Sequence, residues 1–226
     1  GLLIVFVGGK PGACVIGFDK ISGREVWRAL EESLTHSSPI VIRADGKRQL
    51  IVWTQESVTS LDPKTGKTHW AERLPTSADA AVATPLFHQE RLLIGGLMLK
   101  LDGGRPAVLW PETRAVSRRI LSNTSSALFR SEQVYSARST GELVCLDANS
   151  GRQLWQTNGL TDPKSGASIH LTANGDMVLL FTDRGELILA QLSADGYKEI
   201  SRAAVVQSTW PFSGTHVAWA APAFAN

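Results

Sequence analysis

The chain has 226 residues and a formal net charge of +2, from 23 Lys and Arg against 21 Asp and Glu. That near-balance argues against a nucleic-acid-binding domain, which concentrates a basic surplus, and a hydrophobic share of 43% excludes a disordered chain. Two cysteines exclude a disulfide-rich scaffold and a four-cysteine zinc site.

The opening apolar run, Leu2 to Val7, is the longest in the chain. It is strand-sized, far short of the roughly 18 residues of a spanning helix, so no membrane insertion by this segment is expected. No basic-then-apolar leader precedes it. The chain opens without Met and closes on Pro222-Ala223-Phe224-Ala225-Asn226, so both ends read as cut. The expectation is a piece of a longer protein whose remainder is missing.

A repeat organises the chain. Phe18-Asp19-Lys20-Ile21-Ser22-Gly23-Arg24-Glu25-Val26-Trp27 returns as Leu61-Asp62-Pro63-Lys64-Thr65-Gly66-Lys67-Thr68-His69-Trp70, and again as Leu146-Asp147-Ala148-Asn149-Ser150-Gly151-Arg152-Gln153-Leu154-Trp155. A weaker copy runs from Leu101-Asp102 to Trp110, and a degenerate one from Leu192 to Ile200. The aspartates are 43, 40 and 45 residues apart. A period near 40–45 is that of one four-stranded propeller blade. In each copy the Asp can accept from N–H groups two residues on and start a turn. The Gly supplies its left-handed position, and the Trp offers a flat face for packing between blades. On this reading Asp19, Gly23, Trp27, Asp62, Gly66, Trp70, Asp102, Trp110, Asp147, Gly151 and Trp155 are structural, shaping turns and docking blades.

The other strands fall in phase with the repeat. A first strand A is expected at Ile40–Ile42, Leu86–Phe87, Leu128–Phe129 and His170–Leu171, and a second, B, at Gln49–Trp53, Arg91–Ile94, Gln133–Ala137 and Met177–Phe181. No stretch has helical periodicity. The predicted fold is all-β, a single propeller of four-stranded antiparallel blades. The blades are placed at about 1–27 (strands B, C and D only), 39–70, 85–110, 127–155, 169–200 and 222–226, the last a strand A that is cut off. The third has a shortened B–C hairpin, since Pro85 to Asp102 is 17 residues where Pro39 to Asp62 is 23. The expected whole is an incomplete arc of a 7–8-bladed ring; the alternative is closure of a five-bladed ring by the terminal strand.

The small-x-Asp-x-x-Thr/Ser-Gly-x-x-x-Trp pattern at 17–27, 60–70 and 145–155 resembles the PQQ-like (pyrroloquinoline-quinone-like) β-propeller family. The likeness covers essentially the whole chain and is specific for fold, not activity. Similar repeats occur in quinoprotein dehydrogenases, in the lipoprotein B subunit of the outer-membrane β-barrel assembly machine, and in secreted bacterial propellers of unknown role, which the chain resembles most in phrasing. The resemblance implies a periplasmic or extracellular location.

A quinone-dependent enzyme of this family holds its cofactor with Ca²⁺ and often carries a vicinal disulfide. Here Cys14 and Cys145 are 131 residues apart and are expected as buried free thiols. His36, His69, His88, His170 and His216 show no zinc spacing. No catalytic residue, metal or cofactor is expected; PQQ and Ca²⁺ enter only under an enzymatic alternative.

Variation, and so function, is expected on the loops opposite the repeated turns. These are the D-to-A connections at 28–38, 71–83, 111–124, 156–167 and 201–221, with the B–C turns. The candidate partner or ligand face is His36, Ser37, Ser38, Gln55, Glu56, Thr84, Arg138, His170, Arg184, Trp210, Phe212 and Trp219. The aromatic last connection is the candidate contact with a protein partner; the alternative is that its tryptophans fill gaps between blades, and that the hydroxyls cap strands. The function expected is a non-catalytic extracytoplasmic scaffold binding a protein or ligand. The other readings are a fragment of a quinone-dependent dehydrogenase, or an accessory propeller of a larger secreted or membrane-anchored protein.

Overall fold

The computed structural model describes residues 1–226 apart from 9–11, 13, 77–80, 112–120, 123, 163, 165–166, 210 and 225–226. Among the described residues there is no α-helix. A three-stranded sheet opens the chain: β1 (Leu2–Phe6), β2 (Val15–Asp19) and β3 (Glu25–Ala29). Four-stranded sheets succeed it, each a meander whose spatial order is its chain order. They are β4 (Ile40–Ala44), β5 (Lys47–Trp53), β6 (Ser57–Leu61) and β7 (Thr68–Arg73); then β8 (Leu86–His88), β9 (Arg91–Ile94), β10 (Leu97–Lys100) and β11 (Ala107–Trp110). Next come β12 (Leu128–Arg130), β13 (Gln133–Ala137), β14 (Leu143–Asp147) and β15 (Gln153–Thr157), and finally β16 (Ile169–Asn174), β17 (Met177–Thr182), β18 (Glu186–Leu192) and β19 (Tyr197–Ala204).

Burial depends on strand position. In the β4–β7 and β12–β15 sheets the third strand is covered on both faces: every residue of β6 is buried, and all of β14 except Asp147. That explains their near-continuous apolar or small composition. The fourth strand is an outer edge. β19 is exposed over Lys198–Ala204, and its Arg202 pairs with Glu186 at 2.9 Å and Glu199 at 2.8 Å. Charge on an edge strand discourages pairing with another chain.

The repeated signature builds one device three times. Asp19 accepts from the N–H of Ile21 at 3.1 Å and of Ser22 at 2.9 Å. Asp62 accepts from Lys64 at 2.7 Å and Thr65 at 3.0 Å, and Asp147 from Asn149 at 3.2 Å and Ser150 at 2.8 Å. The N–H of Gly23, Gly66 and Gly151 then returns to the carbonyl of the same Asp at 2.8–2.9 Å. That closure needs φ of +69°, +72° and +69° at these glycines, in the left-handed region. The register slips between the two residues that precede the Asp: Gly17 and Phe18, Ser60 and Leu61, Cys145 and Leu146. This fits the bulge of such a hairpin.

The small residue of the signature is explained by register. Gly17 lies opposite Trp27, Ser60 opposite Trp70 and Cys145 opposite Trp155. A Cβ on Gly17 would fall 2.5 Å from the Trp27 ring, so the indole lies directly on its cross-strand partner. The ring also meets the next repeated turn. A Cβ on Gly66 would lie 2.6 Å from Trp27, and one on Gly151 2.7 Å from Trp110. Trp110 and Trp155 also donate to Ala148 and Ser193 carbonyls at 2.9 and 2.8 Å. Burying about 150–250 Å² per indole at about 25 cal/mol/Å² stabilises by roughly 4–6 kcal/mol as an upper bound. That is why Trp27, Trp110 and Trp155 sit at this joint.

The structure departs from the repeat in three places. Trp70 instead donates within its own sheet, to Gln49 at 3.0 Å. The weak copy is rebuilt: Asp102 pairs with Lys100, while the N–H of Gly103 and Gly104 bond the carboxylate of Asp45 at 3.0 Å each. The B–C hairpin of this sheet is indeed short, a Gly95-Gly96 turn with φ of +53° and +92°. At the C-terminus, no strand forms at 221–224. A small hairpin, β20 (Pro211–Phe212) with β21 (Thr215–His216), precedes it. Val205 and Val206 bond instead to the Gly185 carbonyl, and Ala218 to that of Asp183, on the β16–β19 sheet. These bonds anchor the segment and leave 221–224 without a strand partner.

The chain divides into two compact units: residues 1–92 with 99–107, and 93–98 with 108–226. The first has a core of Cys14, Val15, Trp27, Leu50, Val52 and Leu61 between its first two sheets. In the second, Tyr135, Ala137, Leu143 and Cys145 pack on Ile169, Val178, Leu180, Ile188 and Ala190.

Candidate functional site

In the first unit the candidate loops bind themselves. Ser37 is 3% exposed and donates to the Ala83 carbonyl at 2.9 Å, tying a strand entry to the next connection. Gln55 donates through Nε2 to Leu34 at 2.8 Å and through its backbone to Ser33 at 3.0 Å. His36, Ser38 and Glu56 are exposed, and Thr84 is half-buried. Beneath them lies a group that composition and spacing gave no reason to select. Glu32 accepts from both Thr54 and Ser57, the latter at 2.7 Å, clamping the B–C turn to the incoming connection.

In the second unit Arg184 spans two loops, donating to Gly159 at 3.0 Å and Thr161 at 2.9 Å. Arg138 is half-buried beside its turn, and its backbone N–H bonds Glu142 at 2.7 Å. His170 donates through Nε2 to the Trp219 carbonyl at 2.7 Å. Phe212 and Trp219, 38% and 36% exposed, meet edge to face with centroids 4.6 Å apart. Trp210 lies outside the described residues. Beside this pair is a recess of about 530 Å³ walled by Phe181, Leu187, Val205, Val206, Trp219 and Phe224. His170, Phe212 and Trp219 are thus brought together, against an apolar surface.

A second recess, of about 490 Å³, stands at the blade end that carries the repeated turns, where the sequence pattern predicts no function. Arg43, Lys47, Arg48, Lys64 and His69 line it with Asp62 and Pro63. The available signal was local: Arg43, Lys47 and Arg48 flank one Asp45-Gly46 turn.

Burial, with the nearby charge of Glu32, pushes the Cys14 thiol up to about 11, and burial pushes Cys145 up to about 11. Both are free and buried, so neither is a thiolate near neutral pH. Tyr135, opposite Cys145 in the sheet, is raised mainly by burial as well. Among the described residues no three of His, Cys, Asp and Glu gather as metal ligands, and no Cys-Cys pair exists in the sequence.

A family model described as "Outer membrane protein assembly factor BamB" matches residues 12–207. A curated protein of that name from Burkholderia pseudomallei (strain K96243) is 28% identical over 160 residues, 65% of this chain and 40% of its own length. The crystal structure of BamB from Moraxella catarrhalis superposes with a TM-score of 0.60 at 19% identity, over 86% of this chain and 59% of that one. A europium-containing methanol dehydrogenase gives 0.57 at 11% identity, over 87% and 48%. At these identities the solved structures speak for the fold alone: an all-β propeller of four-stranded antiparallel blades. The chain spans about two fifths of the curated relative it matches and three fifths of the Moraxella chain.

Proposed function

The chain belongs to the outer membrane protein assembly factor BamB family, and from that premise we propose that it is a non-catalytic, extracytoplasmic propeller scaffold that binds a protein of outer-membrane assembly. The observation that carries this reading is the half-exposed apolar surface of the last connection. Gln55, Ser37 and Arg184 are committed to backbone carbonyls, and the repeated carboxylates to their turns. The Phe212–Trp219 pair and its recess remain as a half-exposed apolar surface with an aromatic anchor. Aromatic anchors beside a pocket dominate binding energy at protein interfaces, and larger exposed apolar patches mark interaction sites. Metal and cofactor play no part in this function.

The test is site-directed photocrosslinking in a host that carries the outer-membrane assembly machinery. With a photoreactive phenylalanine analogue at Phe212, the expected result is a crosslink to one component of that machinery. The link should be lost in Trp219→Ala while the melting temperature is unchanged. The same probe at Ile21, 85% exposed in a repeated turn, is the control. Equal crosslinking at Ile21, or a Trp219→Ala protein that loses stability instead of the crosslink, sinks the reading.

A further inference from the structure

The recess at the other blade end carries charge that the fold does not use. Arg43 and Arg48 are direct cross-strand partners in the β4–β5 ladder, with Lys47 next to the intervening turn. Directly opposed like charges destabilise a sheet. Lys64 closes the recess from the repeated turn. Among the described residues none of these four side chains forms an ion pair. The sole acidic residue among those described in its lining, Asp62, is spent on the N–H groups of Lys64 and Thr65, at 2.7 and 3.0 Å. Four permanent cations against one occupied carboxylate exceed the +2 of the whole chain, so the basic excess of the protein is gathered here.

We propose that this recess, bounded by Arg43, Lys47, Arg48 and Lys64, is a binding site for an acidic polypeptide segment. The opposed arginines share one face of the sheet and one recess, and each guanidinium is suited to bidentate pairing with a carboxylate. Cavities of this size accept a few side chains. Its form favours a peptide over other anionic partners. Among the described lining residues His69 is the only ring for stacking a base, and Pro63 the only apolar one, leaving nothing to enter a bilayer. A like-charged pair kept at a cost in stability is the expected signature of binding. The choice of a polypeptide rests on the scaffold reading; the site itself is separate from the Phe212–Trp219 surface.

The experiment measures fluorescence anisotropy of a labelled oligoglutamate peptide against the purified chain, with oligoglutamine as the neutral control. Inorganic phosphate and phosphatidylglycerol vesicles serve as competitors. Saturable, salt-weakened binding to oligoglutamate alone is expected. Arg43→Gln/Arg48→Gln should weaken it about tenfold, with a melting temperature unchanged or raised, because a repulsion is removed. Lys64→Gln, outside the sheet, should weaken it too. Unchanged affinity in either variant overturns the site, and a fall in melting temperature on removing the arginine pair shows that the pair serves the fold. Displacement by phosphate or by vesicles at lower concentration than peptide overturns the choice of occupant. A Phe212 probe that forms no crosslink in the otherwise unaltered chain, with peptide binding retained, would fail the scaffold surface and leave this site standing.

Discussion

The three repeated glycines share a turn and a φ near +70°, but not their surroundings, and this separates two effects that mutagenesis ordinarily merges. At Gly23 an added Cβ meets nothing within 4 Å; at Gly151 it would sit 2.7 Å from Cγ and Cδ2 of Trp110, and at Gly66 2.6 Å from Cε3 of Trp27. Gly23→Ala should therefore cost only the left-handed conformation of alanine, about 1–2 kcal/mol. Gly151→Ala and Gly66→Ala add displacement of a packed indole, about 1–3 kcal/mol more. With roughly 2–4 °C per kcal/mol for a chain of this size, the substitutions should be distinguishable by melting temperature. Asparagine sharpens the comparison, since it tolerates the left-handed region: Gly23→Asn should be nearly neutral and Gly151→Asn should not. The assay is thermal unfolding monitored by Trp fluorescence, with the emission shift reporting whether the indole has left its seat. Equal losses at Gly23 and Gly151, or a Gly151→Asn protein as stable as Gly23→Asn, would refute the claim that the indole is seated on the turn.

The remaining predictions concern charges. The carboxyl of Asp62 is held below its ordinary 3.8, first by the Lys64 N–H, and that of Asp147 first by the Ser150 hydroxyl. Because the folded value is depressed, their stabilisation is present above pH 3.8 and is lost as pH falls through the folded value. Asp62→Asn and Asp147→Asn should flatten acid unfolding in that window, and a wild-type acid limb in both variants would count against it. Arg184→Met should lower stability by about 1–3 kcal/mol in urea, because two loop carbonyls lose a charged donor. An unaltered urea midpoint would return Arg184 to the set of exposed binding candidates.

The fold was legible because its information is local and copied. Asp, Ser/Thr, Gly and Trp at fixed offsets specify a turn, a left-handed position and a docking ring, and they do so whatever surrounds them. Even the small residue two before the Asp announced itself, and the register supplies its reason: at Gly17 the Trp27 side chain lies on it. The site was less legible. Nothing local says that Ser37 turns inward to Ala83 or that Arg184 reaches the Gly159 and Thr161 carbonyls, since both sets of partners come from loops distant in sequence. The apolar end misled for a related reason. Pro222 matched the strand-opening pattern, but backbone bonds from Val205, Val206 and Ala218 fix the preceding segment against the last sheet.

A repeat that consumes its own polar groups also points to where binding can reside. Each carboxylate of the clean copies bonds its own turn, and the Trp27 and Trp110 rings are packed on the following turn, so these groups have little to offer a partner. What can be offered lies where the pattern lapses. Arg43 and Arg48 replace a cross-strand pair that the sheet would favour as apolar or oppositely charged. The final connection substitutes an aromatic hairpin for a strand. The two lapses differ in kind, one cationic and one apolar, so a partner engaging both would need an acidic segment and an apolar anchor. Charge would then govern encounter and its salt dependence, and the aromatic surface the lifetime of the complex.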